Sequence, residues 1–168
     1  CFKVLGFVSP PIGEALAFRA LHGKSLTQVV QRTNGPLASR WGTIITRRLL
    51  ASRTATPRNI NGADWAAERS WLLLRMGDAV AARQLVQQVE SDRYTGRLCQ
   101  VAMPVFLANA DLSGMCPVAD AGAQQTGEGT WRMAQAICAS LAGEQGRATA
   151  LLNQARARGW LKGIDYLL

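Results

Sequence analysis

Trp65-Ala66-Ala67-Glu68-Arg69-Ser70-Trp71-Leu72-Leu73-Leu74-Arg75-Met76-Gly77-Asp78 reads as a helix, its stop and the first residue of a second helix. Trp65, Ala66, Arg69, Leu72, Leu73 and Met76 carry the helical spacing. Gly77 is the residue that enters the left-handed region at a helix end without a Cβ penalty. Asp78 suits the exposed N–H groups and positive dipole of a new helix, whose stripe is Ala82, Leu85, Val86 and Val89.

The stretch recurs. Trp131 stands twelve residues before Gly143-Glu144, as Trp65 stands before Gly77-Asp78. The two copies are 66 residues apart, and midway lie Leu98 and Ala110-Asp111, so the period is 33. Leu74/Leu107/Ser140, Ala82/Met115/Ala148, Leu85/Val118/Leu151 and Val86/Ala119/Leu152 fall into the same register. The period predicts an all-α chain with three helical hairpins near 63–95, 96–128 and 129–161, and a fourth opening at Ile164. Pro104 falls inside the first helix of the middle unit, while Gly114 and Pro117 should leave its second helix short or displaced.

Over residues 65–158 this pattern resembles the tetratricopeptide-type helical repeat. The family's small residue ending the first helix, Ala five later, apolar residue nine later and small residue twelve later match Gly77, Ala82, Val86 and Val89. Gly143, Ala148, Leu152 and Ala155 match them again. Ser70 and Ala136 fit the small position seven before the turn, and Met103 departs from it. The aromatic after the turn and the Pro between units are missing. The resemblance implies a right-handed α-solenoid with a concave groove for a protein or peptide ligand, and no active site. First helices usually build such a groove, which nominates Trp65, Arg69, Arg75, Gln100, Asn109 and Gln135 as partner contacts.

Backward from Trp65 the register lands on Arg32 and fails, so residues 1–60 form a separate basic helical segment packing on the repeats. Short helices are expected over 11–21 and 25–32, on either side of His22-Gly23. A longer one follows the Asn34-Gly35-Pro36 break from Leu37 to Arg53. Residues 54–62 read as a linker, and Ala63-Asp64 as the cap of the first repeat helix. Nine Lys/Arg residues stand here against Glu14 alone, so this segment holds the entire net charge of +8. Leu37, Trp41, Ile44, Ile45 and Leu49 share one helical face, with Arg40, Arg47, Arg48 and Arg53 as a basic patch. A basic amphipathic helix can lie on anionic lipid or track phosphates. The favoured reading packs its apolar face on the repeats and solvates the arginines.

Composition sets the remaining bounds. A chain of 168 residues, 48% hydrophobic and 18% charged, is neither disordered nor a disulfide miniprotein. Cys1, Cys99, Cys116 and Cys138 contain no CxxC and no ligand-spaced His, which argues against zinc. Cys116 lies five residues after Asp111 and Cys138 five before Gly143. On antiparallel neighbouring helices they sit level, so any disulfide should join Cys116 to Cys138, the alternative being two buried thiols. Cys99 and Cys116 are offset by roughly 9–10 Å, beyond the roughly 7 Å limit of a bridge. A disulfide would point to an oxidising compartment such as a periplasm, favouring the cell envelope slightly over the cytoplasm.

His22 is the only histidine and reads as a structural residue at a helix end. Glu14, Glu68, Glu90, Asp92, Asp111, Glu128 and Glu144 offer no acid/base pair, and Gly127-Glu128-Gly129-Thr130 is no phosphate loop. No cofactor and no small-molecule substrate are expected. The sequence reading is therefore a non-enzymatic scaffold for protein–protein interaction. Its alternatives are a helical accessory domain of a larger enzyme, such as a cell-wall-degrading one, or a basic module binding nucleic acid or anionic membrane. A start at Cys1 and a stop inside the fourth unit suggest a piece of a longer solenoid.

Overall fold

The computed structural model describes residues 22–160 except positions 34 and 36. The helix expected over 11–21 and the fourth unit opening at 164 lie outside the described residues. Eight α-helices follow one another: α1 (Gly23–Arg32), α2 (Arg40–Ala51), α3 (Gly62–Arg75), α4 (Ala79–Gln87), α5 (Gly96–Ala108), α6 (Cys116–Thr126), α7 (Gly129–Leu141) and α8 (Gln145–Ala157). A 3₁₀ turn at Ser91–Arg93 precedes α5. Among the described residues there is no strand, and one isolated bridge pairs His22 with Arg58. The chain is all-α, and it divides within α4 into two compact units, Cys1–Leu85 and Val86–Leu168.

In the first unit α1 and α2 each pack on α3. Two arginines of α3 hold the carboxyl ends of these partners. Arg69 donates from Nε to the Leu50 carbonyl at 2.7 Å and from Nη2 to the carbonyls of Leu50 and Ser52, where α2 ends. Arg75 donates from Nη2 to the Val30 carbonyl at 3.1 Å, in the last turn of α1. Both place a cation where helix carbonyls lack intrahelical donors and the dipole is negative. Gln31 adds a bond from Nε2 to Oε1 of the buried Glu68 at 2.9 Å.

The face that α2 buries differs from the expected one. Only Leu50 of this helix is buried. Trp41 is 74% exposed, Ile45 53% and Leu37 42%, so the apolar stripe faces outward. At 3.6 residues per turn Leu50 falls on the side opposite Trp41. α3 seizes α2 by Leu50 and by the carbonyls that Arg69 caps, and this turns the stripe away.

Two local corrections concern helix starts. Asn61 caps α3, its side chain accepting the Ala63 N–H at 2.9 Å, while Asp64 sits inside the first turn. His22 begins α1 instead of closing an earlier helix: its carbonyl accepts the N–H groups of Ser25 and Leu26. Its ring Nε2 lies 3.2 Å from Asn59 Nδ2.

In the second unit α5 packs on α6, α6 on α7 and α7 on α8. Leu98, Phe106 and Trp131 are fully buried, and the Tyr94 hydroxyl donates to the Val86 carbonyl at 2.8 Å. α5 continues through Pro104. α4 and α8 open directly after Asp78 and Glu144, whereas α6 opens five residues after Asp111. There the Asp111 carboxylate instead accepts the Gly114 N–H at 2.8 Å.

Three turns share one geometry. Gly77, Ala110 and Gly143 have φ of 79°, 50° and 79°. The next N–H groups, of Asp78, Asp111 and Glu144, donate five residues back to Leu73, Phe106 and Ala139 at 2.9, 3.0 and 2.9 Å. Gly77, Ala110 and Gly143 themselves donate to Leu74, Leu107 and Ser140. This pair of bonds is the Schellman closure of a helix, met at intervals of 33 residues.

Candidate binding groove

The second unit leaves large apolar side chains in water on α5 and α7. Leu107 is 56% exposed and Ile137 36%. Each has an apolar companion one turn earlier, Met103 on α5 and Met133 on α7. These four, with Met115 and Trp160, line an open groove of about 510 Å³. Thr130 is the only polar side chain on its wall.

Close packing shapes one end of the groove. The Trp160 indole lies on the start of α7, where a Cβ built on Gly129 would stand 3.0 Å from Trp160 Cγ. The Arg158 guanidinium stacks over the same ring at 5.2 Å, a cation against its electron-rich face.

Cys116 and Cys138 form a disulfide, with sulfurs at 2.03 Å and Cα atoms 5.5 Å apart. The pairing expected from the level positions on α6 and α7 is the one observed. Met115 precedes Cys116 and Ile137 precedes Cys138, so the bond ties together two walls of the groove.

The six nominated partner contacts serve other ends. Trp65 is 2% exposed and belongs to the core, and Arg69 and Arg75 cap α2 and α1. Asn109 turns back to donate to the Val105 carbonyl at 2.8 Å. Gln135 is buried, donating to Asp120 at 2.6 Å and accepting from Arg132 at 3.2 Å. Gln100 is exposed on α5. None of the six lines the groove. The signal that could have found it is the pair of i, i+4 apolar couples, Met103/Leu107 and Met133/Ile137.

In the first unit the basic patch is split. Arg47 pairs with Asp78 at 2.9 Å, and the same carboxylate caps α4 by accepting the Ala81 N–H at 3.2 Å. Arg40, Arg48 and Arg53 are exposed. Cys99 is buried, and burial pushes its thiol up to about 11, away from nucleophilic chemistry.

Compared with family models, curated proteins and solved structures, the chain matches none.

Proposed function

We propose that the protein is a non-enzymatic helical-repeat module of tetratricopeptide type, whose hairpins stack as a right-handed solenoid. Its work is to bind the apolar face of a partner protein segment between α5 and α7. The observation that carries this reading is the methionine-lined groove with Leu107 and Ile137 presented to solvent. An amphipathic helix laid in such a groove inserts side chains at i and i+4 spacing. Unbranched, polarisable methionines adapt to the shape of what enters. The three closures at 33-residue intervals support the repeat reading, because each ends a first helix at the same register.

Selection of a displayed peptide library on the intact, oxidised protein tests the proposal. Enriched peptides should carry apolar residues at i and i+4. Leu107→Glu or Ile137→Glu should weaken their binding by roughly tenfold or more, as for a central interface residue. Binding that both substitutions leave unchanged would refute the groove as the site.

A further inference from the structure

We propose that α2 is a membrane-surface docking helix that seats the protein on an anionic lipid bilayer. The stripe of Leu37, Trp41 and Ile45 faces away from α3, the only helix recorded against α2. Trp41 is the most exposed large apolar side chain among the described residues, at 74%. Arg48 follows two turns along the same stripe, Arg40 stands beside Trp41, and Arg53 lies just past the helix end; all three are exposed. Arg47 is excluded from this set, because Asp78 holds it.

Each part matches a layer of the interface. An indole is at home at headgroup depth, and Leu37 and Ile45 can enter the acyl boundary beneath it. Arginine stems lie along apolar surface while their heads reach lipid phosphates. The first 60 residues hold the whole net charge of +8, which draws this end of the chain to a negative surface. Twelve residues of helix span about 18 Å, too short to cross a bilayer, so α2 lies in its plane. Nucleic acid would engage the arginines equally well, but it leaves the Leu37–Trp41–Ile45 stripe in water. The apolar centre of the stripe therefore favours lipid.

Flotation of the full chain with vesicles tests this, comparing phosphatidylcholine alone with phosphatidylcholine containing one third phosphatidylglycerol. The expected result is association with the anionic vesicles only, weakened by salt. The double variant Trp41→Ala/Ile45→Ala should reduce it by roughly tenfold, and Arg40→Gln/Arg48→Gln should weaken it as well. All four side chains face solvent, and thermal melts of the variants verify folding. Ile137→Glu should leave association unchanged, which separates this surface from the groove. The proposal falls if the protein ignores anionic vesicles, or if the Trp41→Ala/Ile45→Ala variant floats as well as the parent. It also falls if the protein is retained on duplex DNA through the arginines while vesicles fail to hold it.

Discussion

The indole of Trp131 lies against the backbone of Gly122. A Cβ built at 122 would stand 2.3 Å from Trp131 Cδ2 and 2.6 Å from Cε2 and Cε3. Trp131 opens the buried face of α7, and Gly122 lies on the buried face of α6, twelve residues after the Ala110 turn. The largest side chain of one helix thus occupies the space left by the smallest residue of its neighbour, and this sets how closely α6 and α7 approach.

Gly122→Ala should therefore destabilise the second unit by roughly 1–3 kcal/mol, the range for forcing atoms into a packed core. Urea denaturation followed by tryptophan fluorescence measures it. A variant as stable as the parent would show that the ring can move aside.

Ala110 sits at φ 50°, where Gly77 and Gly143 occupy the same register at φ 79°. A Cβ is strained there, so Ala110→Gly should stabilise the chain by about 1 kcal/mol. Gly143→Ala should cost about as much, although nothing stands within 4 Å of the added Cβ. Opposite signs for these two substitutions, read as midpoint shifts, are the expected outcome.

The disulfide joins residues 22 apart in sequence. Closing a loop of that size in the unfolded chain stabilises the folded state by about 3 kcal/mol. Cys116→Ser/Cys138→Ser should lose about this much. Because the bond ties two walls of the groove, peptides selected on the oxidised protein should also bind the reduced form more weakly. Unchanged affinity after reduction would mean that packing alone holds the walls.

Two buried acids make stability fall in alkali. Burial raises the Tyr94 hydroxyl above its ordinary 10.0, with the neighbouring Cys99 adding to the effect. Burial likewise lifts the Cys99 thiol from 9.0 to about 11; its backbone hydrogen bond opposes this and Glu128 adds to it. The folded chain keeps protons that the unfolded chain releases. Their contribution is therefore complete below about pH 9 and is lost as pH rises through the folded values. Denaturation midpoints should be lower at about pH 10.5 than near neutrality, with a shallower decline in Cys99→Ala. Equal midpoints in parent and variant at both pH values would contradict this.

Much of the helical order was legible because its signals are local. Gly77 and Gly143 stop helices for a reason contained in one residue, and the interval between them located Ala110, whose own side chain gives no such signal. Level positions on α6 and α7 were enough to pair Cys116 with Cys138. The cap of α3 was misplaced by two residues, since Asn61 and Asp64 are both good acceptors near a helix start and only geometry separates them.

The sites were less legible. Arg69 and Arg75 look like solvent-seeking cations on a first helix, yet each is drawn inward by carbonyls of residues 50, 52 and 30 that end other helices. Periodicity showed that α2 has an apolar face, but not whether that face would be covered. By itself the sequence determined the helices, the 33-residue interval of their turns and the cysteine pair, because all three rest on short-range spacing. Only the tertiary structure decided that Trp41 faces out, that Trp65 faces in and that a groove opens beside Met103 and Ile137. Burial depends on which distant residues supply a matching surface or an unsatisfied carbonyl, and no spacing within one helix carries that information.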